Sequence, residues 1–372
     1  MGNDNILLKP VSFYRRVVLF FFLLGFSLTR VHSQNIIAYY SGNARQISKY
    51  PVNELTHIIY SFCYLKGNRI WVENRADSQT IRALVGLKKK NPRLKILLSL
   101  GGWGGCKTCS DVFSTDSGRT EFAESVYNLS NYFHTDGIDL DWEFPSLAAY
   151  PSHLFQIEDK IHFTQLVRTL RIRLGKTKEI SLICAGFSPY LQGSLDLPSL
   201  LPWVDRINLM TYDLIGSRTH FSGHHSALYS TSWQEASADH AVRYFDSLKI
   251  PHNKIAIGVA FYGRQYRVTE NHDDGLNQPA NFEKFVTMRK IRKNFTDAMG
   301  YKTHWDAEAK ATFKYNDADK IYLTYDDERS VAAKCAYTNE KSLNGIFFWE
   351  LRLDKPRQGL LDAIWKGLRR SK

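Results

Sequence analysis

Cysteine is scarce in this sequence, with five residues among 372. Two of them, Cys106 and Cys109, form a C-x-x-C pair. Because no second pair exists, the cysteines cannot complete a zinc site of the C-x-x-C type. In a chain that leaves the cytosol we expect a local disulfide between these two residues, with a redox motif as the alternative. Cys63 and Cys184 lie in apolar, strand-like segments, and we expect them to be small core residues.

Low-complexity linkers, internal repeats, basic stripes and nucleic-acid-binding motifs are also absent from the sequence. The formal net charge of +12 comes from scattered lysines and arginines. An excess of this kind favours solubility and weak attraction to anionic surfaces. The sequence therefore predicts no nucleic-acid partner.

The apolar run near the start of the chain is shorter than the roughly 20 residues that a membrane-spanning helix needs. This run, VVLFFFLLGFSLT, follows Arg15 and Arg16 and precedes VHS, whose small or β-branched residues suit cleavage before Gln34. We predict that residues 1–33 are a signal peptide and that the mature chain is secreted, without stable membrane association. A membrane anchor is the alternative.

Short apolar runs recur through the rest of the chain, each followed by a segment of helical character. Nearly continuous apolar strands that alternate with helices are typical of a parallel sheet covered on both faces. Eight such units favour a closed barrel over an open sheet, so the predicted fold is an α/β (β/α)8 TIM barrel over residues 34–372. The runs cover residues 35–40, 57–65, 95–102, 137–143, 179–187, 206–213, 255–263 and 345–351.

Amphipathic patterns between the runs predict helices over residues 120–133, 159–174 and 233–248, and a last one over 359–368. The gap between the seventh and eighth runs is too long for a simple loop. We predict that residues 265–329 form a small α+β domain inserted at the catalytic face of the barrel.

The fourth run carries a high density of acidic residues in the segment DGIDLDWEF. Because side chains alternate along a strand, Asp139, Asp141 and Glu143 face one side and the apolar residues between them face the other. The apolar side would pack against the barrel helices. The acids would then point into the barrel, with Glu143 nearest the C-terminal rim, where barrel active sites lie.

Three desolvated carboxylates at this spacing titrate as a coupled set, and at least one pKa rises. A protonated carboxyl group at the rim is suited to act as a general acid. The alternatives are a solvated edge strand and a magnesium or calcium site. The interleaved apolar residues disfavour the first. No histidine or further acid at a suitable spacing supports the second, so we predict no metal and no cofactor.

Aromatic and polar residues lie at or near the ends of other runs, in SLGGWGG, MTYDLIG, FYGR and FFWE. A single tryptophan is more often a core residue than a ligand contact. Gathered at the ends of several strands, aromatic faces with a few polar groups predict a sugar-binding site. The residues concerned are Trp103, Tyr212, Asp213, Tyr262, Arg264 and Trp349.

The pattern D-G-x-D-x-D-W-E, preceded by S-x-G-G-W and followed by M-x-Y-D, resembles the chitinases of glycoside hydrolase family 18. The resemblance implies that Glu143 donates a proton to the glycosidic oxygen. It implies that Asp141 holds the N–H of the substrate's 2-acetamido group, that Asp139 shares proton and charge beneath it, and that Tyr212 steadies the acetamido carbonyl. The further substrate-binding positions it implies are Tyr39, Phe62, Gly102, Trp103, Met210, Asp213, Tyr262, Arg264 and Trp349.

The same resemblance implies a substrate-assisted reaction that retains the β-anomer, since the acetamido oxygen and not a protein carboxylate attacks the anomeric carbon. It identifies the insertion as one wall of the substrate cleft. It also identifies the segment HFSGHH as a rim loop, with a histidine metal site as the alternative. The expected partner is chitin or a chitooligosaccharide, and the expected oligomeric state is a monomer.

Two other functions stay open. A chitinase-like lectin would bind without cleaving, but such lectins usually lack the acid that Glu143 supplies. An endo-β-N-acetylglucosaminidase acting on N-glycan cores can share the acidic motif, but such enzymes typically lack the insertion predicted at residues 265–329.

Overall fold

The computed structural model describes Gly2 and residues 34–151, 153–270 and 272–369. The predicted signal peptide lies outside the described residues, apart from Gly2. Within these ranges, none of the helices combines the length and the apolar character needed to cross a bilayer.

The described chain contains strands and helices in alternation. The strands are β1 (Asn35–Tyr40), β2 (His57–Lys66), β3 (Arg69–Trp71), β4 (Lys95–Gly101), β5 (Gly137–Asp141), β6 (Glu179–Ala185), β7 (Arg206–Met210), β8 (Ile255–Ala260), β9 (Tyr262–Val268), β10 (Ala280–Thr287), β11 (Lys302–Asp306), β12 (Ala311–Asn316), β13 (Ile321–Tyr325) and β14 (Gly345–Trp349). The helices are α1 (Ala44–Ile47), α2 (Arg75–Gly86), α3 (Cys109–Ser114), α4 (Asp116–Phe133), α5 (Asp159–Leu174), α6 (Tyr190–Gly193), α7 (Leu197–Leu200), α8 (Ala238–Ser247), α9 (Met288–Asn294), α10 (Glu328–Glu340) and α11 (Leu360–Arg369).

Eight parallel strands form a closed barrel. They follow the order β1-β14-β8-β7-β6-β5-β4-β2, and β1 also pairs with β2, which closes the sheet. The short strand β3 pairs with β2 in the antiparallel direction. The barrel confirms the predicted (β/α)8 fold, and each of the eight predicted runs contains one of its strands.

The barrel strands separate two apolar layers. The larger layer lies between strands and helices, where Trp142 contacts Phe113 of α3 and Phe163 of α5 at ring-centroid distances of 5.8 and 6.0 Å. The smaller layer fills the barrel interior and includes Ile37 and Leu97. Alternate residues of each strand enter opposite layers, which explains why the strands read as nearly continuous apolar runs.

One predicted helix was too long at its start. The helix predicted over residues 233–248 begins at Ala238, because the Ser237 side chain accepts a hydrogen bond from the backbone N–H of His240 and caps the helix there. Residues 233–237 instead form a loop. The indicator overlooked in the sequence was a serine that competes with helix propagation.

A second sheet lies between β8 and β14 in the chain. Its five antiparallel strands follow the order β10-β9-β13-β12-β11, and α9 lies between β10 and β11 in sequence. This sheet spans residues 262–325, compared with the insertion predicted over 265–329. Its first strand begins two residues after β8 ends, so the sheet rises directly from the rim of the barrel.

The cysteines fall into two groups. Cys106, in the loop after β4, and Cys109, the first residue of α3, form the expected disulfide. Cys63, Cys184 and Cys335 are buried free thiols, in agreement with the core role expected of the first two.

Candidate active site

The acidic residues of β5 form a column inside the barrel. Asp139 is fully buried and Asp141 nearly so, while Glu143 follows the strand end and is half-buried. The apolar residues Ile138 and Leu140 face the helix layer. The column therefore rises from the barrel interior toward its C-terminal rim.

The carboxylate of Asp139 accepts hydrogen bonds from four side chains. The donors are the hydroxyls of Tyr39 (2.8 Å), Ser99 (2.8 Å) and Ser181 (2.6 Å) and the side-chain amide of Asn208 (3.2 Å). Two donors reach each carboxylate oxygen, so all four lone-pair positions are occupied. These hydrogen bonds stabilise the ionised form of Asp139 and partly offset its burial, which leaves the pKa of this carboxyl group above its usual value.

The causes that shift the pKa differ among the three acids of the column. Burial raises the pKa of Asp139, while the hydrogen bonds that it accepts and the charge of Arg206 act in the opposite direction. Burial raises the pKa of Asp141 well above its usual range, and the charges of Glu143 and Asp139 add to the rise. Burial and the charge of Asp213 raise the pKa of Glu143 to about 8, against a hydrogen bond from Asp141. Asp141 and Glu143 therefore titrate together, and both pKa values lie above the usual range of a carboxyl group.

Tyr212 lies beside the column, immediately after β7. Its ring contacts Phe347 and Tyr262 at centroid distances of 5.9 and 6.0 Å and passes over Gly258 of β8. A Cβ atom at Gly258 would lie 2.7 Å from the Tyr212 ring, so only glycine leaves this space. Burial and the charge of Asp141 raise the pKa of Tyr212 well above its usual range, which keeps its hydroxyl neutral and able to donate.

Asp213 connects the barrel rim to the second sheet. Its carboxylate accepts a hydrogen bond from Nε of Arg264 on β9 at 2.5 Å, and Nδ1 of His225 lies 3.5 Å from the same oxygen. Burial raises the pKa of Asp213, but the nearby His225 ring and the hydrogen bond from Arg264 outweigh that effect and hold the pKa below its usual range. Asp213 therefore supplies a fixed negative charge near Glu143.

Aromatic rings form a continuous floor next to the acids. Trp349 stacks on Phe62 at 5.5 Å with an interplanar angle of 18°, and it contacts Tyr39 at 5.9 Å. Gly102 has a φ of +80°, and a Cβ atom there would lie 2.4 Å from the Phe62 ring. The glycine thus permits both the left-handed backbone and the close approach of this ring.

Most of the predicted site residues meet in this region. Met210, Tyr212 and Tyr262 belong to the apolar cluster of the barrel interior. Trp103 is different: it is 57% exposed, and its ring contacts Tyr150 at 5.6 Å. No ring contact joins it to the floor within the described part of the chain.

Three residues of this site were missed in the sequence. Ser99, Ser181 and Asn208 all contact Asp139, and the first two lie directly beside it in the strand register. The signal was present, because each is a polar residue at an inward position of a mostly apolar strand. Recognising that these three residues meet at Asp139 required the strand order around the barrel.

Two histidines of the HFSGHH segment, His224 and His225, lie close to carboxylates. Nε2 of His224 lies 2.9 Å from Asp306 on β11, and His225 contacts Asp213. Across residues 34–369, apart from the two undescribed positions, no three His, Cys, Asp or Glu residues are grouped so that they could hold a metal ion.

The family model for the glycosyl hydrolases family 18 matches residues 35–354. This chain belongs to family 18 of the glycosyl hydrolases. The match confirms the resemblance drawn from the acidic motif, and it includes the whole family 18 barrel from β1 to β14.

Relatives within family 18 carry different names. Chitinase A1 of Niallia circulans is 32% identical over 304 residues, which are 74% of this chain and 43% of that protein. The oviduct-specific glycoprotein of Homo sapiens is 30% identical over 318 residues, 81% of this chain and 46% of that protein. The chain thus spans less than half the length of these two curated relatives.

A solved family 18 structure matches this chain over nearly its whole length. The N-acetylglucosaminidase from Paenibacillus barengoltzii aligns with a TM-score of 0.82 at 31% identity, covering 90% of this chain and 99% of that one.

Proposed function

We propose that the protein is a chitinase, which hydrolyses β-1,4 linkages between N-acetylglucosamine units of chitin or chitooligosaccharides. The observation that carries the proposal is the arrangement of Asp141 and Glu143 above Asp139, which accepts four hydrogen bonds, beside an aromatic floor at the barrel rim. A raised pKa gives Glu143 a proton to donate, and aromatic rings suit the apolar faces of sugars.

The first step is proton transfer from Glu143 to the glycosidic oxygen. As the bond to the leaving sugar breaks, the carbonyl oxygen of the substrate's own acetamido group attacks the anomeric carbon and forms an oxazolinium ion. Glu143 is then a carboxylate. It accepts a proton from the water that opens the oxazolinium ring, and the product keeps the β-configuration.

Asp141 serves the acetamido group in this scheme. Its Oδ1 is buried and has no hydrogen-bond partner among the described residues. Such an oxygen is costly when left alone, but it is suited to accept the N–H of an acetamido group. The neutral hydroxyl of Tyr212 donates to the acetamido carbonyl, which aligns that oxygen for attack.

Three alternatives have some support. The Paenibacillus relative is named an N-acetylglucosaminidase, and this name supports such an enzyme, which would release single N-acetylglucosamine units, as an alternative. The oviduct-specific glycoprotein, a relative of this chain, is not named as a hydrolase. Its similarity supports a non-catalytic lectin as a second alternative. An endo-β-N-acetylglucosaminidase would act on high-mannose glycopeptides. Glu143 and its raised pKa favour the hydrolases over the lectin.

A proton-NMR time course with chitohexaose tests the proposal directly. We expect internal cleavage and fresh product with the β-anomer at its new reducing end. Release of single N-acetylglucosamine units would instead indicate the exo-acting enzyme. Binding without cleavage would indicate the lectin, and cleavage of a high-mannose glycopeptide alone would indicate the third alternative.

We also propose that the mature chain is a secreted monomer that begins at Gln34. The Cys106–Cys109 disulfide supports an oxidising compartment. N-terminal sequencing of the exported protein should begin at Gln34, and retention of residues 1–33 in membranes would favour an anchor. Light scattering of the mature protein should give the monomer mass.

A further inference from the structure

A second cluster of charged residues lies inside the barrel, below the acidic column. It consists of the first residues of four strands on one side of the barrel: His57 of β2, Lys95 of β4, Glu179 of β6 and Arg206 of β7. Arg206 is 2% exposed, the lowest value among the charged groups of the cluster. A buried guanidinium is costly unless it is paired, so its contacts need an explanation.

Glu179 is the centre of this cluster. It forms an ion pair with Nη1 of Arg206, and its second oxygen lies 2.8 Å from Nζ of Lys95 and 3.1 Å from Nε2 of His57. Burial and the charge of Arg206 lower the pKa of His57 to about 4, so this histidine is neutral. Two cations thus surround one carboxylate, and the cluster has one positive charge in excess.

Asn208 links the cluster to the acidic column. Nε of Arg206 donates to Oδ1 of Asn208 at 3.0 Å, and Nδ2 of Asn208 lies 3.0 Å from the Tyr39 hydroxyl and 3.2 Å from Asp139. An arginine can only donate, so it must meet the oxygen of the amide. That contact turns the amide nitrogen toward Asp139.

We propose that Arg206 is a positioning residue of the active site: it orients the Asn208 amide as the fourth donor to Asp139 and balances the buried Asp139 charge. With Asp139 held as a carboxylate, the proton of the column stays on Asp141 and Glu143. The consequence for turnover rests on the proposed glycosidase function, whereas the charge of Asp139 can be measured without it.

The groups that face Asp139 come from several strands. They are Tyr39 of β1, Ser99 of β4, Asp141 of β5, Ser181 of β6, and Arg206 and Asn208 of β7, with Tyr212 after β7. Arg206 is the only cation in this set. Removing its charge leaves Asp139 among neutral donors and another acid, which favours the protonated form.

Two variants distinguish a positioning role of Arg206 from a simple ion pair between Arg206 and Glu179. Glu179→Gln removes the ion pair but keeps the Arg206 charge. Arg206→Gln combined with Glu179→Gln removes both charges, so no unpaired charge remains in the core. If Arg206 only balances Glu179, the double variant should behave like wild type. If Arg206 positions Asp139, the double variant should be the defective one.

The measurement is a pH titration of carbon-13-labelled aspartate carboxyl groups, with the Asp139 resonance assigned by its loss in Asp139→Asn. We expect an ionised Asp139 from pH 6 to 8 in the wild type and in Glu179→Gln. In the double variant we expect its pKa to rise by at least about one unit, a tenfold change in the protonation ratio. An Asp139 resonance with the same titration in all three proteins would overturn the proposal.

Turnover supplies the second readout. On chitohexaose we expect the double variant to lose kcat by about tenfold or more with little change in KM, because protonation of Asp139 alters the column and not the aromatic floor. Arg173→Gln, which breaks the surface pair with Glu124, is the matched control and should leave kcat unchanged. Equal kcat in the double variant and the control would also overturn the proposal. A wild type without turnover would contradict the proposed function only, and the carboxyl titration would still decide the role of Arg206.

A double variant that fails to unfold cooperatively would be replaced by Asn208→Leu. This substitution removes the oriented amide but retains both charges. We expect it to raise the pKa of Asp139 in the same titration, and an unchanged pKa would contradict the proposed orientation of the amide.

Discussion

At the residue scale, neighbouring carboxyl groups of one strand have different hydrogen-bond partners. Asp139 accepts four hydrogen bonds, while Oδ1 of Asp141 has no partner among the described residues. The first arrangement favours a charge, and the second leaves an oxygen free for substrate. Burial alone would raise every pKa in the column, so the donors decide which acid keeps the proton.

Glu143→Gln should abolish most turnover, since glutamine keeps the shape of the side chain but has no acidic proton. We expect kcat to fall by about 10²–10⁴-fold, with chitooligosaccharide affinity nearly unchanged. Steady-state kinetics and calorimetric binding measure the two effects. Glu158→Gln, an exposed glutamate before α5, is the matched control. A Glu143→Gln protein with wild-type kcat would refute the role given to Glu143.

The alkaline side of the pH–rate profile should depend on Asp213. Glu143 acts in its protonated form, so kcat/KM, which reports the free enzyme, should be highest at lower pH and should fall as the pH rises through about 8. The negative charge of Asp213 raises that pKa. Asp213→Asn should therefore move the fall to lower pH, whereas the exposed Asp317→Asn should not. An unmoved or raised alkaline limb would contradict the electrostatic role of Asp213.

At the element scale, the absence of a side chain at one position of β8 determines how Tyr212, which follows β7, is packed. Gly258 in β8 leaves space for the Tyr212 ring, which then contacts Phe347 of β14 and Tyr262 of β9. Three strands thus set the position of one hydroxyl. The sequence GVAFYG contains the glycine, but only the register of the barrel shows what its absent side chain allows.

Gly258→Ala should destabilise the barrel and slow the reaction. The new methyl group would overlap the Tyr212 ring, and overpacking of a core typically costs about 1–3 kcal/mol. Denaturant unfolding and kcat should both report the change. Gly86→Ala is the matched control, because nothing lies within 4 Å of the Cβ atom that would be added there at the end of α2. That substitution should be neutral or stabilise by up to about 1 kcal/mol. Equal stability of the two variants would contradict the proposed fit.

At the scale of the whole molecule, the barrel and the second sheet share a buried ion pair. Asp326, just after β13, accepts hydrogen bonds from the backbone N–H of Ala260 in β8 at 3.1 Å and from Nζ of Lys334 in α10 at 2.7 Å. Lys334 is completely buried. This carboxylate therefore joins the end of the second sheet to a barrel strand and to the helix that leads into β14.

Lys334→Met should leave Asp326 buried and unpaired, which typically costs about 3–5 kcal/mol. Because both parts of the molecule contact Asp326, we expect calorimetry to show one unfolding transition that moves to lower temperature as a whole. Lys355→Ala, an exposed lysine, should have little effect. Two separate transitions in the Lys334→Met protein would contradict this coupling.

The sequence by itself determined the fold class, the eight barrel strands and the inward acidic column. The physical reason is periodicity, because strands buried on both faces must be apolar and alternation places Asp139 and Asp141 together. Only the tertiary structure decided which groups surround those acids. These groups lie on three other strands and belong to Ser99, Ser181, Asn208 and Arg206. No local feature of the sequence predicts the distances between them. Their contacts depend on barrel closure and register, which arise from the packing of the whole chain.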